Sequence, residues 1–215
     1  MTEPLLKQII KPGAFLAGFA LLGTLALASV YNLTLPTVEA NERAATLKQL
    51  NLLVDKQTYD NDLLASKQVL PAADFGSAED VTVYRASKQN LPVAALFIVS
   101  APDGYSGKIR LAVGIRADQT LAGVRVLAHK ETPGLGDKIE ADKHPWILSF
   151  AEKSLQNPTS TLWAVRKDGG EFDQFTGATI TPRAVVGAVK RTLEWSQHHF
   201  ASLFTPKAPA QGTQP

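Results

Sequence analysis

Cysteine is absent from this chain of 215 residues, and neither acidic nor basic residues dominate it. Without cysteine, the chain has no disulfide bond, no thiolate nucleophile and no cysteine-ligated zinc or iron–sulfur centre. Its 22 basic and 20 acidic residues leave a net charge of +2, which gives no basic footprint for nucleic acid. The four histidines form no cluster with metal-ligand spacing, so we predict no metal site. Composition therefore excludes several classes of function before it suggests one.

Charge is also missing from one long stretch, residues 13–30. Extended to residue 35, this stretch is long enough to cross a bilayer at about 1.5 Å per residue. Lysines precede it and glutamates follow it, at Lys7, Lys11, Glu39 and Glu42. The positive-inside rule leaves residues 1–12 in the cytoplasm and sends the rest of the chain outward. We predict a single transmembrane anchor at residues 13–35 and an exported main domain.

A cleaved signal peptide is the alternative to this anchor. Ala26-Leu27-Ala28 resembles a signal-peptidase site, and it follows a basic segment and an apolar run. The apolar run is at the long end for a signal peptide. Both interpretations export the remainder of the chain, so the predicted topology does not depend on the choice.

The rest of the chain divides into three predicted regions. Residues 36–80 are predicted to be a helical linker region, because Ala44, Leu47, Leu50 and Val54 recur at helical spacing. Residues 81–204 are predicted to form one α+β domain, an antiparallel sheet with packed helices. Residues 205–215 contain three prolines and little apolar content, which predicts a disordered tail.

Short apolar runs mark the strands of the predicted domain. The candidate strands are residues 81–84, 93–99, 108–116, 121–128 and 160–165. In residues 108–116 the apolar side chains share one face and the charged ones the other, so we expect that second face to meet water. Tryptophans at three positions are expected in the core or at a membrane interface, namely Trp146, Trp163 and Trp195.

The most informative segment is Asp173-Gln174-Phe175-Thr176-Gly177-Ala178-Thr179-Ile180-Thr181-Pro182. Gly177 permits a sharp turn, Thr181 is a favoured helix N-cap, and Pro182 suits the first helical position. Four apolar residues then share one helical face, at Val185, Val186, Val189 and Leu193. Because a helix N-terminus favours anions, the segment fits a phosphate-binding turn. These local features also fit an ordinary capped surface helix.

Three segments together resemble the FMN-binding domain family. The spacing Asp173-x-x-Thr176-Gly177-Ala178-Thr179 resembles the family's flavinylation motif, and the segment from His129 to Lys138 resembles its second signature loop. The segment from Asp103 to Gly107 resembles the turn before a core strand. The three occur in the family's order, and the similarity is closest to the G subunits of Rnf/Rsx membrane electron-transport complexes. It extends from the N-terminal segment to about Arg191.

The resemblance implies a covalent cofactor. Thr179 would carry FMN through a phosphoester bond, which makes the chain a phosphoprotein, and a flavin transferase would form that bond. Asp173 matches the acidic position of the transferase's recognition sequence. The residues expected along the phosphate and ribityl chain are Thr176, Gly177, Ala178 and Thr181. The residues of the second loop expected against the flavin are Glu131, Thr132, Leu135 and Gly136.

The resemblance also implies a function and a location. The chain would be an electron-transfer subunit of an ion-translocating oxidoreductase complex in a bacterial inner membrane, with its domain in the periplasm and the other subunits as partners. No nucleophile–base pair competes in the sequence, so we expect it to relay electrons and not to transform a metabolite. The alternative function is an exported phosphate-binding or assembly protein without redox activity, in which the Thr-Gly-Ala-Thr turn holds phosphate or nothing.

Overall fold

The computed structural model describes residues 3–205, and the chain divides into two units, one ending at Thr46 and one beginning at Leu47. From Glu3 onward the first unit is part of one long helix, α1, which spans Glu3–Leu50. From residue 13 to residue 34 the side chains of this helix are exposed. Among the described helices, α1 is the one long and apolar enough to cross a membrane, with a mean hydropathy of 2.0 in its candidate span. The predicted tail lies outside the described residues except for Thr205.

The region between α1 and the main sheet is helical only in part. After Leu50 the chain turns, and the phenolic hydroxyl of Tyr59 donates to Asn51 Oδ1 at 2.8 Å. This turn buries Leu50, Leu53 and Val54 in the second unit. Two short 3₁₀ turns and one short strand follow, at Lys56–Thr58, Ala72–Phe75 and Gln68–Leu70.

The sheet has five antiparallel strands that follow one another in sequence order, so each strand pairs with the next. The strands are β1 (Gln68–Leu70), β2 (Val81–Lys88), β3 (Leu91–Ala101), β4 (Ile109–Arg116) and β5 (Leu121–Ala128). Alternation or, for β3, a continuous apolar run predicted the last four, whereas β1 is too short to show a pattern. Between β2 and β3 a two-residue turn with both φ angles positive, 51° at Gln89 and 63° at Asn90, matches the twist of the strands.

One face of the sheet packs against the second helix, α2 (Ile180–Phe204). The predicted apolar face of α2 is confirmed, because its four residues are at most 1% exposed, namely Val185, Val186, Val189 and Leu193. They meet the inward side chains of β3 and β4, such as Phe97 and Val113. Each large aliphatic side chain buried in this way contributes about 1.5–3 kcal/mol. The α+β prediction, with an antiparallel sheet and packed helices, is confirmed.

The second face of the sheet differs from our expectation. It is not a wet face at its centre, because the segment after α1 covers it and forms a second apolar cluster with Leu96 and Ala112. Small residues make this possible. A Cβ on Gly114 would lie 3.2 Å from the Cβ of Leu53, so Leu53 packs directly on the strand backbone. Arg110, the second residue of β4, remains exposed, as the pattern of charges predicted.

The strand predicted at residues 160–165 is wrong. The chain there forms a 3₁₀ turn at Ser160–Leu162, and Trp163 Nε1 donates to the carbonyl of Ser154 at 2.9 Å. Trp163 is buried against the stacked rings of Phe150 and Phe172. The apolar residues of this run therefore hold an irregular segment against the core. A short apolar run can do this as readily as it can form a strand.

Candidate functional site

A pocket of about 530 Å³ lies where four segments of the second unit converge. The segments are the turn after β3, the loop after β5, the 3₁₀ turn that contains Lys167 and the residues that lead into α2. The lining residues are Tyr105, Glu131, Thr132, Leu135, Gly136, Lys167, Gly177, Ala178, Thr179, Ile180 and Thr181. Eight of the residues predicted from the sequence are in this set, and the structure thus brings the two motif segments into one wall although about 50 residues separate them.

Thr179 is the residue at the N-cap position of α2. We predicted Thr181 as the cap and Pro182 as the first helical residue, but the helix begins earlier, at Ile180. The reason is that the buried hydroxyl of Thr181 donates to Glu131 and is not free to cap. Pro182, as the third helical residue, still removes only an N–H that would have no partner inside the helix. Within the described residues the Thr179 side chain makes no capping hydrogen bond.

Glu131 joins three of the four pocket segments. One carboxylate oxygen, Oε1, accepts from the backbone N–H of Ser106 at 3.0 Å, and the other accepts from the hydroxyl of Thr181. Glu131 is only 4% exposed. Because each oxygen has a donor from a different segment, this one side chain fixes the turn after β3 and the start of α2 on the loop that carries it.

Glycines make the close approach of these segments possible. A Cβ on Gly136 would lie 2.8 Å from Thr181 Oγ1 and 2.9 Å from the Cβ of Glu131, so no larger residue fits between the loop and α2. Gly177 has φ of 80°, a conformation that residues with a Cβ rarely adopt. Gly177 thus adopts the turn conformation predicted for it, whereas Gly136 allows the loop to approach α2.

Lys167 is held at the pocket by the loop on either side of it. The neighbouring Asp168 forms a two-pronged ion pair with Arg183 of α2, with distances of 2.6 and 2.8 Å. The guanidinium of Arg183 lowers the pKa of the Asp168 carboxyl. The backbone N–H of Lys167 itself donates to Gln174 Oε1 at 3.2 Å. These contacts fix the backbone of Lys167, and the side chain supplies a cation to the pocket lining.

His129 supports the loop from behind. Its Nδ1 accepts from the backbone N–H of Glu131 at 3.0 Å, and its Nε2 lies 2.8 Å from Glu140 Oε1. With Nδ1 accepting, the proton is on Nε2, which donates to Glu140. Lys143 also binds Glu140, at 2.7 Å. The hydrogen bond from Lys143, and to a smaller extent the one from His129, lowers the pKa of the Glu140 carboxyl. Hydrogen bonds outside the pocket, from His129 and Lys143, therefore help to hold the loop in place.

Two predicted residues lie outside the pocket lining. Thr176 is exposed and does not line the pocket. The carboxylate of Asp173 is exposed and 3.2 Å from the guanidinium of Arg166, while its carbonyl accepts from Trp146 Nε1 at 2.9 Å. Trp146 and Trp163 are in the core, and neither lines the pocket.

Three lining residues were not among the predicted site residues. Tyr105 lies in the turn that resembles the family's third segment, and Ile180 directly follows Thr179, so their positions in the chain gave a signal. The position of Lys167 in the sequence gave no such signal. Its loop is fixed at the pocket by contacts with Gln174 and Arg183, which lie later in the chain. Among the described residues, no group of three or more metal-ligating side chains occurs.

The chain is similar to two family models and to curated relatives. The model described as FMN-binding domain matches residues 104–194, and the one described as RnfG N-terminal region matches residues 1–53. A Shewanella amazonensis protein is 48% identical over 92% of this chain and 93% of its own length. A Vibrio cholerae protein is 42% identical over 97% of this chain and all of its own length. Both relatives are G subunits of ion-translocating oxidoreductase complexes by name.

Proposed function

The chain belongs to the family of G subunits of ion-translocating oxidoreductase complexes, and from that premise we propose that it carries FMN covalently on Thr179. Family membership makes it a flavoprotein electron-transfer subunit with an FMN-binding domain and with the other subunits of the complex as partners. The bond to Thr179, the flavin transferase that makes it and the periplasmic position of the domain are our proposals.

The observation that carries the proposal is the state of the Thr179 hydroxyl. It lies in the pocket lining at the N-cap position, where threonine normally accepts a hydrogen bond from the helix backbone, yet it makes no such bond. An alcohol without a capping role is available for esterification. The N–H groups of Ile180 and Thr181 have no partner inside the helix, and the helix dipole is positive at this end. A phosphate diester retains a negative charge, which this position favours.

The remaining lining residues fit FMN in size and chemistry. The volume of about 530 Å³ lies within the range of roughly 300–1,000 Å³ for small-molecule sites. Apolar side chains at the pocket are exposed to solvent, with Tyr105 69%, Leu135 42% and Ile180 44% exposed. A planar ring would cover them. Gly177 is exposed and lacks a Cβ, so a flat ligand can approach its backbone closely.

The residues of this chain bind, orient and shield the cofactor. When bound, FMN accepts and donates one or two electrons, and the protein supplies position and electrostatics around it. Thr179 would tether the phosphate, and the start of α2 would hold its charge. Leu135 and Ile180 would exclude water from the ring, while Glu131 keeps three of the pocket segments together. Lys167 adds a positive charge at the same wall.

Asp173 would serve the transferase and not the flavin. Its carboxylate is exposed and lies outside the pocket lining, with Arg166 as its ion-pair partner. An exposed ion pair contributes at most about 1 kcal/mol, so a modifying enzyme can displace Arg166 at little cost. This placement suits a recognition residue that is needed during maturation only.

We expect the unmutated full-length protein to acquire flavin only when a flavin transferase is co-expressed with it. The modified protein should fluoresce under ultraviolet light in a denaturing gel, and its mass should exceed that of the chain by one FMN less one water. A colourless protein of unmodified mass, made with an active transferase, would contradict the proposal. That result would favour the alternative, an exported phosphate-binding or assembly protein without redox function.

The orientation can be measured separately. We expect a reporter that is active only in the periplasm, fused after Asp55, to be active, because Lys7 and Lys11 hold the N-terminus in the cytoplasm. The matched control is a fusion within the first 12 residues, which should be inactive. A stable but inactive fusion after Asp55 would overturn the periplasmic assignment. The size of the fusion distinguishes an uncleaved anchor from a signal peptide cut after Ala28.

A further inference from the structure

We infer that the Glu131 carboxylate is an uncompensated negative charge in the pocket wall and that it lowers the reduction potential of the flavin bound there. This inference rests on the proposed function, since it concerns the tuning of a flavin in the same pocket. It goes beyond a contact role, because it assigns to Glu131 an electrical effect that a neutral residue with the same hydrogen bonds would lack.

The Glu131 carboxylate is buried, and its hydrogen-bond partners are uncharged groups. Both oxygens accept, one from the backbone of Ser106 and one from the hydroxyl of Thr181, as an ionised carboxylate does. Both donors are neutral. Within the described part of the chain, no ion pair includes Glu131. The charge is therefore satisfied by hydrogen bonds and is not cancelled by a cation.

The neighbouring acidic residues are compensated, in contrast to Glu131. Asp137 and Glu140 share the ammonium group of Lys143, at 3.0 and 2.7 Å. Neither lines the pocket. The cation that does line it, Lys167, is exposed, so water and salt weaken its field. Among the charged residues of the pocket lining, Glu131 is thus the one that acts through a low-dielectric medium.

A fixed negative charge opposes the arrival of electrons. In a titration, dithionite supplies electrons and ferricyanide removes them. A bound flavin would gain negative charge on reduction unless it took up one proton for each electron. Coulomb repulsion from a buried carboxylate raises the free energy of the reduced form, and the interaction is several-fold stronger in a protein wall than in water. The potential is lowered as a result.

Glu131→Gln removes the charge and keeps the shape. The amide oxygen can accept from Ser106, and the amide nitrogen can donate to the hydroxyl of Thr181, so both connections survive. A role limited to positioning would leave the potential unchanged in this variant. A role through charge would raise it.

The test is a spectroelectrochemical titration of the full-length, flavin-labelled protein in detergent. For E131Q we expect about a tenfold higher ratio of reduced to oxidised flavin at a fixed potential, which for a two-electron couple is about 30 mV. Glu140→Gln is the matched control and should show no shift. Lys167→Met should shift the potential in the opposite direction, by an amount that shrinks as salt is added.

The outcomes separate this inference from the proposed function. A labelled E131Q protein with an unchanged or lower potential overturns the inference and leaves the proposed function intact. If no variant and no unmutated protein is labelled, the proposed function fails instead. Thermal unfolding of the unlabelled protein checks that E131Q is folded. Should it not fold, infrared difference spectroscopy of the unmutated labelled protein on flavin reduction replaces it, and the band of a protonated buried carboxyl in place of a carboxylate band overturns the inference.

Discussion

Thr179→Ala is expected to abolish covalent flavin attachment while leaving the fold intact. Removing the hydroxyl removes the atom that forms the phosphoester bond, so the loss should be complete and not graded. At an N-cap, replacing threonine by alanine usually costs about 0.5–2 kcal/mol, because a capping hydrogen bond is lost. Here no such bond exists, so we expect a cost at or below the lower end of that range. Attachment and stability are therefore separable at this position.

Denaturing gels under ultraviolet light measure flavin attachment, and circular dichroism measures the fold and its stability. Thr179→Ser keeps an alcohol at the same place and should retain a fluorescent band. Thr161→Ala, which removes an exposed hydroxyl outside the pocket, should retain it as well. Fragmentation of the labelled peptide should assign the added mass to Thr179 and not to Thr176. A fluorescent band in Thr179→Ala, or flavin on Thr176, would show that the bond has been placed on the wrong residue.

Local pattern was sufficient for β2 to β5, and it failed where distant residues decide the structure. Alternation predicted β4 because its period follows from the pleat. It could not show that Leu53 covers the second face at Gly114, since that packing joins residues 61 positions apart. The run at residues 160–165 was ambiguous for the same reason. Trp163 is directed into the core by partners that a local window does not contain.

The candidate site shows the same division. The motif predicted Glu131 in the loop that lines the pocket. Its hydrogen-bond partners are 25 and 50 residues away, so the sequence did not show that Glu131 links distant segments or that its carboxylate is buried. The helix start was predicted two residues late because the Thr181 hydroxyl is bound to Glu131. Lys167 reaches the pocket because Asp168 pairs with Arg183, a contact that no local spacing encodes.

The second large effect is expected from Gly136→Ala. The added Cβ would lie 2.8 Å from Thr181 Oγ1 and 2.9 Å from two atoms of Glu131, and both neighbours are anchored by their mutual hydrogen bond. The conformation of Gly136 itself is not in the positive-φ region, so the effect is purely steric. Overpacking of this kind costs about 1–3 kcal/mol. Because Thr181 must move, Thr179 two residues before it moves too, and flavin attachment should fall several-fold.

Gly187→Ala is the matched control, because it makes the same substitution within α2. Its Cβ would have one neighbour within 4 Å, Arg191 Nη1 at 3.3 Å, and a shift of a few tenths of an ångström there leaves Nε bonded to the carbonyl of Phe75. Alanine is favoured over glycine inside a helix by about 0.5–1 kcal/mol, so this variant should be more stable than the unmutated protein. Thermal unfolding of the full chain in detergent should thus shift in opposite directions, by about 2–4 °C per kcal/mol for a protein of this size. Equal midpoints and full labelling in Gly136→Ala would mean that the loop and α2 can separate freely. The pocket would then be held together by something other than the Glu131–Thr181 contact.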